Sequence, residues 1–241
     1  MSGAPADDPD VLRIATWNIH NAVGCDGTRD LARIAEVIRD MGAPLVALQE
    51  IGCTVDGDTA CDAAIVADAN GLLWRSVAPS GRAAVRHGNA LLSAHPLGEP
   101  RVHDLSVPGR EGRAALEVDV AWGRRRLRVV VTHLGLRASE RRHQVERLLS
   151  AVGDEEADAT ILLGDINEWL LWGRPLRWLH RRFGASPAPR TFPTRLPLFA
   201  LDRVWVHPRN ILVSLAAVDT PAARRASDHL PVVATLRFPE G

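Results

Sequence analysis

The stretch Thr160–Asn167, TILLGDIN, places a short apolar run directly before a group of polar residues. Thr160–Leu163 has the length and composition of a strand buried on both faces, and Gly164, Asp165 and Asn167 follow at once. A buried strand cannot carry an unpaired carboxylate, but its end can present one in a cleft. The stretch therefore predicts a central strand whose end carries chemistry.

The same arrangement recurs at four other places in the chain. Short apolar runs lead into Asn18, Glu50 and His133, and Asp228 and His229 stand immediately before the last apolar run. Taken singly, each of these residues is better explained as a turn former, a solvated side chain or an ordinary surface histidine. Because five strand ends in one chain carry such residues, we predict that they converge on one site.

The residue types indicate which chemistry such a site performs. Asn18, Glu50, Asp165, Asn167 and Asp228 are oxygen donors, which a hard divalent cation prefers. The two histidines beside them are suited to stabilising a phosphate and to transferring protons. A zinc-type hydrolase lacks support, because the sequence has neither a His-x-His cluster nor a CxxC pair.

Strand and helix patterns alternate along the chain, and hairpins occur as well. Thr28 is predicted to cap one helix and Ser139 another. Ala114–Ala121 and Leu127–Thr132, joined by the turn Gly123–Arg126, are predicted to form an antiparallel hairpin. This mixture favours an α/β sandwich with mixed sheets over an all-parallel fold.

Composition bounds the organisation of the chain and its location. The 241 residues carry zero formal net charge, so no global field attracts nucleic acid. With no repeat or linker, the sequence predicts a flexible N-terminal segment, residues 1–10, and a single domain, residues 11–239. Cys53 and Cys61 could close a short loop, but the odd cysteine count and the lack of an export signal favour free thiols at Cys25, Cys53 and Cys61. Since no membrane-length apolar run is present either, we expect a cytoplasmic protein, and a monomer is favoured.

Seven short segments in succession resemble the motifs of the endonuclease/exonuclease/phosphatase superfamily, over nearly the whole chain from Ile14 to Val233. They are Thr16-Trp17-Asn18, Leu48-Gln49-Glu50, Gly88-Asn89-Ala90-Leu91-Leu92-Ser93, Thr132-His133-Leu134, Gly164-Asp165-Ile166-Asn167, Leu201-Asp202-Arg203-Val204 and Ser227-Asp228-His229. The resemblance implies a four-layered α/β sandwich of the deoxyribonuclease-I-like type, with two mixed β-sheets flanked by helices and the active site at one edge. It also implies an Mg²⁺-dependent phosphoesterase, with Mn²⁺ as a substitute, that cleaves phosphodiester bonds by metal-assisted attack of water.

The same resemblance implies a metal site and a water site. Glu50, aided by Asn18, is expected to be the principal Mg²⁺ ligand, and Asp228 to contribute. Asp165 and Asn167 are expected to orient or deprotonate the attacking water and to hold the phosphate.

Contacts to the phosphate are implied by the resemblance at further positions. His229 is expected to contact the scissile phosphate, with Asp202 orienting its ring, and His133 and Arg113 match positions that contact the phosphate in deoxyribonuclease-like members. Asn89 is a further candidate for binding substrate. It can reach the cleft, as can Arg82 or Arg86, or these loop residues simply stabilise a turn.

The substrate is left open between nucleic acid and a phospholipid-type headgroup. In Trp169–Phe183, tryptophans alternate with arginines, and three interpretations compete. The segment is a core helix with Trp inside and Arg outside, a stacking surface for single-stranded nucleic acid, or an element that inserts at the inner membrane surface. Absence of tyrosine disfavours abasic-site endonuclease activity, since repair enzymes of the superfamily carry a Tyr where this chain has His133.

Two alternatives to phosphodiester hydrolysis remain at this stage. One is a phosphomonoesterase of small phosphorylated molecules. The other is a catalytically silent member of the same fold that binds lipid or nucleic acid. A silent binding module would need few of the acidic and imidazole residues that this sequence retains, which favours the enzyme.

Overall fold

A computed structural model describes residues 8–54, 61–78, 85–152 and 157–239, without the side chains of residues 53, 54, 85 and 86. Its first sheet contains β1 (Val11–Asn18), β2 (Leu45–Thr54), β3 (Leu73–Val77), β4 (Val85–Ser93), β10 (Leu212–Ala217) and β11 (Val232–Arg237). The second sheet contains β5 (Arg101–Asp104), β6 (Ala114–Trp122), β7 (Arg125–His133), β8 (Ala159–Asp165) and β9 (Asp202–His207). The strand orders are β10-β11-β1-β2-β4-β3 and β5-β6-β7-β8-β9.

Both sheets are mixed. Strand β1 runs parallel to β2, and β7 runs parallel to β8, while the other pairings are antiparallel. The antiparallel hairpin of β6 and β7 is found as predicted. In each sheet, therefore, two neighbouring parallel strands end at the same edge.

Helices cover the outer face of each sheet. Three of them, α1 (Leu31–Met41), α2 (Asp62–Asp68) and α5 (Pro221–Ala226), pack on the first sheet. The other two, α3 (Ala138–Ala151) and α4 (Arg174–Phe183), pack on the second. Short 3₁₀ turns lie at His20–Ala22 and Arg209–Ile211.

Side-chain alternation along the strands produces the layers. Val129 and Val131 enter the core between the two sheets, whereas Val130 between them packs toward α3 and α4. In the first sheet, Ile14 faces the central core and Ala15 the helices. Because both faces of these strands are buried at their centres, the central residues are apolar. The result is the four-layered sandwich with two mixed sheets that the resemblance implied.

Both predicted helix caps are displaced by two residues. Asp30, not Thr28, caps α1, and its carboxylate accepts the Arg33 amide at 3.0 Å. Thr28 instead belongs to a turn in which its amide donates to Asp26 Oδ1. Arg137, not Ser139, precedes α3, so a polar residue near a helix start did not identify the cap by itself. Elements β5 and α5 were missed because both are short.

Several expectations concern the chain ends and the cysteines. Residues 1–7 of the N-terminal segment lie outside the described residues, while the Asp10 carboxylate pairs with Arg125 at 2.6 Å. Cys25 and Cys61 are free thiols, and the Cys53 side chain lies outside the described residues. Among the described helices, none has the length and apolarity required to cross a bilayer.

Candidate active site

Three acidic and imidazole side chains stand side by side on the second sheet. His133 at the end of β7 is in register with Asp165 at the end of β8. Asp165 is in turn in register with Asp202, the first residue of the antiparallel β9. Partners in register lie about 5 Å apart across neighbouring strands. Strand register alone therefore brings together residues that are up to 69 positions apart in the sequence.

A β-bulge directs Glu50 into the site. Pairing of β2 with β4 shifts between Gln49 and Ile51, and Glu50, the extra residue, has a φ of 54°. A left-handed conformation costs a non-glycine residue roughly 1–2 kcal/mol, so the surrounding sheet must enforce it. The bulge turns the Glu50 carboxylate out of the sheet and toward the cleft, where it is 28% exposed.

The Gly-Asp-x-Asn segment has a local physical explanation. Gly164 has a φ of 141°, and a Cβ there would lie 1.8 Å from the Thr132 carbonyl oxygen, so a side chain does not fit. Asp165 Oδ1 accepts the Asn167 amide at 2.9 Å, which closes an Asx turn. Ile166 is fully buried against α3 and α4, as expected for a core position. The turn thus presents Asp165 and Asn167 while anchoring the residue between them.

Asn18 ties the two sheets together at the site. Its Nδ2 donates to Glu50 Oε1 at 2.9 Å and to Asp165 Oδ2 at 3.0 Å. Its Oδ1 accepts the amide of His20 at 3.0 Å. Although Asn18 was expected to aid metal binding as an oxygen donor, it presents its N–H groups to the carboxylates. It therefore acts here by holding Glu50 and Asp165 next to each other.

The donor set suits a divalent cation. Among the described residues, the carboxylates at the cleft outnumber its cationic groups: Glu50, Glu111, Asp165 and Asp202 against Arg113 and protonated His229. Such an excess of negative charge in a partly buried site favours a bound cation. Asp228 lies further out, with its side chain 38% exposed and its Oδ1 3.9 Å from His20 Nδ1.

A second acidic group is less suited to metal. Donor atoms of Asp165, Asp202 and His229 lie within 4.8 Å of one another. However, the Nδ1 of His229 is hydrogen-bonded to Asp202 Oδ2 at 2.8 Å, and a protonated imidazole cannot ligate an ion. Among the described residues, the carboxylates of Glu50 and Asp165 are therefore better suited to hold a cation.

His229 is held rigidly and is positively charged. Burial lowers the pKa of its imidazole, but the carboxylates of Asp202, Asp165 and Asp228 outweigh burial and raise that pKa to about 10. The main chain is fixed by Trp17 Nε1, which donates to the His229 carbonyl at 2.9 Å. The ring Nε2 lies 3.8 Å from Asp165 Oδ2 and lines the cleft. An imidazolium in this position can donate to a phosphoryl oxygen.

His133 has the opposite electrostatic character. Burial lowers the pKa of its imidazole to about 4, against an opposing effect of Asp165, while Arg113 and His229 lower it further. Its Nε2 lies 3.1 Å from Asn167 Nδ2, which can only donate. His133 is therefore a neutral ring whose Nε2 accepts a hydrogen bond. Two histidines of one cleft thus occupy different charge states at neutral pH.

The cleft has a volume of about 280 Å³. It is lined by Glu50, His87, Glu111, Arg113, His133, Leu136, Asp165, Asn167, Trp169, Phe192, Leu201 and His229. Asn89 lies in a smaller recess beside it, where its Nδ2 donates to the Ala114 carbonyl at 2.7 Å. Asn89 thereby joins the two sheets at this edge. Arg82 and the side chain of Arg86 lie outside the described residues.

Several residues that support the site escaped the sequence analysis. Thr191 donates to Asp202 Oδ2, the oxygen that also binds His229. Arg141 on α3 forms a buried ion pair with Glu168 at 3.2 Å. Ser227, which the sequence placed in a motif without assigning it a role, donates from Oγ to the Asn18 carbonyl at 2.7 Å. Strand-end patterns select residues that follow apolar runs, so supporting side chains from helices and loops are not detected.

The Trp169–Phe183 segment divides into two parts. Its second part is helix α4, which buries Pro175, Leu176, Leu179 and Phe183, as the core-helix interpretation predicts. Its first part is an exposed loop: Trp169 is 42% exposed and Trp172 is 70% exposed. The core-helix interpretation is therefore wrong for these two tryptophans, which lie at the surface.

Comparison with known proteins identifies the family. The model described as Endonuclease/Exonuclease/phosphatase family matches residues 15–229, and the chain belongs to that family. The chain is 29% identical to YbhP of Escherichia coli (strain K12) over an alignment of 252 residues, which covers 94% of this chain and 96% of YbhP.

Solved structures with a similar fold include the following two. The endonuclease/exonuclease/phosphatase from Beutenbergia cavernae DSM 12333 is 25% identical with a TM-score of 0.76, covering 95% of this chain and 72% of that one. The mannosyl-6-phosphatase Bt3783 of Bacteroides thetaiotaomicron VPI-5482 is 16% identical with a TM-score of 0.74, covering 94% and 100%. Family members are phosphoester hydrolases, and the fold is the deoxyribonuclease-I-like sandwich that the sequence predicted.

Proposed function

We propose that this protein is an Mg²⁺-dependent phosphodiesterase that uses water as the nucleophile. The observation that carries the proposal is the contact group around Asp165 Oδ2. There, Asn18 Nδ2, His133 Nε2 and His229 Nε2 lie 3.0, 3.5 and 3.8 Å away. An amide, a neutral imidazole and a cationic imidazole therefore meet at one carboxylate oxygen. Together these groups can bind a water, a metal and a phosphate.

Glu50 and Asp165 would hold the divalent cation, with Asn18 keeping their carboxylates together. When bound, such an ion neutralises phosphoryl oxygens and makes a water molecule more acidic. The excess of carboxylates in the cleft supports its presence, because these groups repel one another without it.

The chain's own residues account for the remaining chemistry. The His229 imidazolium donates from Nε2 to a phosphoryl oxygen, and Asp202 fixes its tautomer through Nδ1 at 2.8 Å. Asp165 accepts a hydrogen bond from the attacking water and orients it. Asn167 keeps the Nε2 of His133 occupied as an acceptor, so this ring remains neutral beside the phosphate.

A diester suits the cleft better than a monoester. Leu136, Trp169, Phe192 and Leu201 form an apolar wall along the cleft. An ester substituent can cover such a wall, whereas the free oxygens of a dianionic monoester would lose hydration there. A second candidate function is the hydrolysis of small phosphomonoesters. It is supported by the similarity in fold to a mannosyl-6-phosphatase.

Hydrolysis of bis-p-nitrophenyl phosphate and p-nitrophenyl phosphate with Mg²⁺, Mn²⁺ or EDTA tests the proposal. We expect metal-dependent cleavage of the diester, faster than of the monoester, and loss of activity in Asp165→Asn and His229→Gln. His207→Gln, at the exposed opposite end of β9, is the matched control and should retain activity. A folded wild-type protein that cleaves neither compound would contradict the proposal and favour a silent binding protein.

A further inference from the structure

Exposed apolar side chains are concentrated at the mouth of the cleft. Among the described residues, eleven large hydrophobic side chains are exposed, and seven of them belong to three neighbouring loops. We call these seven the apolar rim: Leu136, Trp169, Leu170, Leu171, Trp172, Leu196 and Leu198. Scattered apolar residues are normal on protein surfaces, but a contiguous group marks an interaction site.

Contacts join the three loops into one surface. Leu136 and Trp169 both line the cleft. The Trp169 ring packs edge-on against Phe192 at 5.8 Å and against Phe199 at 4.5 Å. Phe199 adjoins Leu198, whose amide donates to the Phe192 carbonyl at 2.9 Å. The rim therefore borders the entrance through which a substrate reaches the site.

A buried ion pair holds two of these loops, those of Leu136 and Leu170, in position. The Arg141 guanidinium donates to Glu168 Oε2 at 3.2 Å and to the Leu136 carbonyl at 2.6 Å. Glu168 Oε1 accepts the Leu170 amide at 3.2 Å. Arg141 and Glu168 are each 4% exposed. Because the rim is preorganised, its insertion into another phase loses little conformational entropy.

Positive charge accompanies the rim. Residues 169–200 contain six arginines and no aspartate or glutamate, although the whole chain has zero net charge. Four of the arginines, Arg174, Arg177, Arg190 and Arg195, are exposed in the loops or the first turn of α4. Exposed Trp and Leu beside Arg is the combination that binds at the surface of anionic bilayers.

We propose that the apolar rim docks this protein on an anionic phospholipid bilayer, with the cleft facing the headgroups. Five of the seven rim residues are leucines, which cannot stack on nucleobases, so the surface fits acyl chains better than single-stranded nucleic acid. Arginines of residues 169–200 then lie at the level of the lipid phosphates. Binding of this kind does not require catalysis.

Flotation with vesicles of phosphatidylcholine alone, or mixed in equal parts with phosphatidylglycerol, tests the docking. We expect the wild type to float with the anionic vesicles, and less so at high salt. The double variant Leu171→Ser/Trp172→Ser should bind about a hundredfold more weakly, since each exposed apolar side chain that enters lipid contributes about tenfold. Val213→Ser is the control: Val213 is 61% exposed, at the end of the first sheet away from the cleft.

Leu171 and Trp172 do not line the cleft, so the double variant should cleave the soluble diester at the wild-type rate. Vesicle binding lost in the double variant and kept in Val213→Ser supports the proposal, whether or not the protein is a phosphodiesterase. No flotation of the wild type would overturn it. The proposal would also be overturned if the wild type bound single-stranded DNA, or self-associated in sedimentation, in place of binding vesicles, and if the double variant lost that property.

Discussion

His133 and His229 approach the same carboxylate oxygen, Asp165 Oδ2, at 3.5 and 3.8 Å, yet their pKa values are shifted in opposite directions. His229 has Asp202 on its other nitrogen and remains charged, whereas His133 receives a hydrogen bond from Asn167 and remains neutral. Groups whose environments separate their pKa values are the usual basis for distinct acid and base roles in one site.

Replacing Asp202 by Asn should lower the pKa of His229 and thereby reduce its positive charge. Without the Asp202 carboxylate, burial is less opposed, so the pKa of the His229 imidazole should fall well below about 10. If the imidazolium stabilises the reacting phosphate, kcat should drop about a hundredfold or more. An NMR titration of the His229 ring measures the first effect, and steady-state kinetics measures the second. An unchanged ring pKa would show that Asp202 is not responsible for the shift.

His133 should make folding stability depend on pH. The pKa of its imidazole is about 4 in the folded protein, against 6.5 for a histidine in the unfolded chain. Between these two pH values the unfolded chain therefore binds a proton that the folded chain does not. Stability should therefore fall as pH decreases through this window, by on the order of 2–3 kcal/mol. Urea unfolding at neutral pH and near pH 4 should reveal a smaller loss in His133→Asn than in the wild type. Equal losses in the two proteins would contradict the assignment.

Binding of the divalent cation should stabilise the fold. Mutual repulsion of Glu50 and Asp165 is relieved when a cation lies between them, so Mg²⁺ should raise the melting temperature of the wild type, with the logarithm of its concentration once that concentration exceeds the Kd. Glu50→Gln should require a higher Mg²⁺ concentration for the same shift. Glu99→Gln, in the connection before β5, is a control that should behave like the wild type. A melting temperature insensitive to both Mg²⁺ and EDTA would argue against a cation site here.

Breaking the Arg141–Glu168 pair should affect both stability and substrate binding. Arg141→Met leaves the Glu168 carboxylate buried without its partner, which typically costs about 3–5 kcal/mol. The loops that carry Leu136 and Leu170 lose their anchor, so KM should rise more than kcat falls. Arg142→Met, on the same helix but partly exposed, is the matched control. A wild-type KM in a folded Arg141→Met protein would show that the pair is structural only.

The polar residues at the strand ends predicted part of the group that meets at the cleft. Asn18, Glu50 and Asp165 each follow an apolar run, and the structure joins them through Asn18 Nδ2. Sequence could not predict that Asn18 turns its N–H groups toward the carboxylates, because that orientation depends on the His20 amide across a turn. Nor does any local pattern reveal the bulge that places Glu50 at a φ of 54°.

Apolar periodicity and polar strand ends predicted an α/β sandwich with mixed sheets and a site of acidic, amide and imidazole residues. The family and its four-layered arrangement were implied by the resemblance of seven short motifs. Charge state was decided only in three dimensions, because desolvation and Coulomb interactions depend on distances that folding creates. His133 and His229 illustrate this, since neither neighbouring residues nor spacing distinguishes a neutral ring from a charged one. The exposed rim was likewise decided by the tertiary structure. The apolar residues of α4 are buried, whereas Trp169 and Trp172 in the preceding loop lie at the surface.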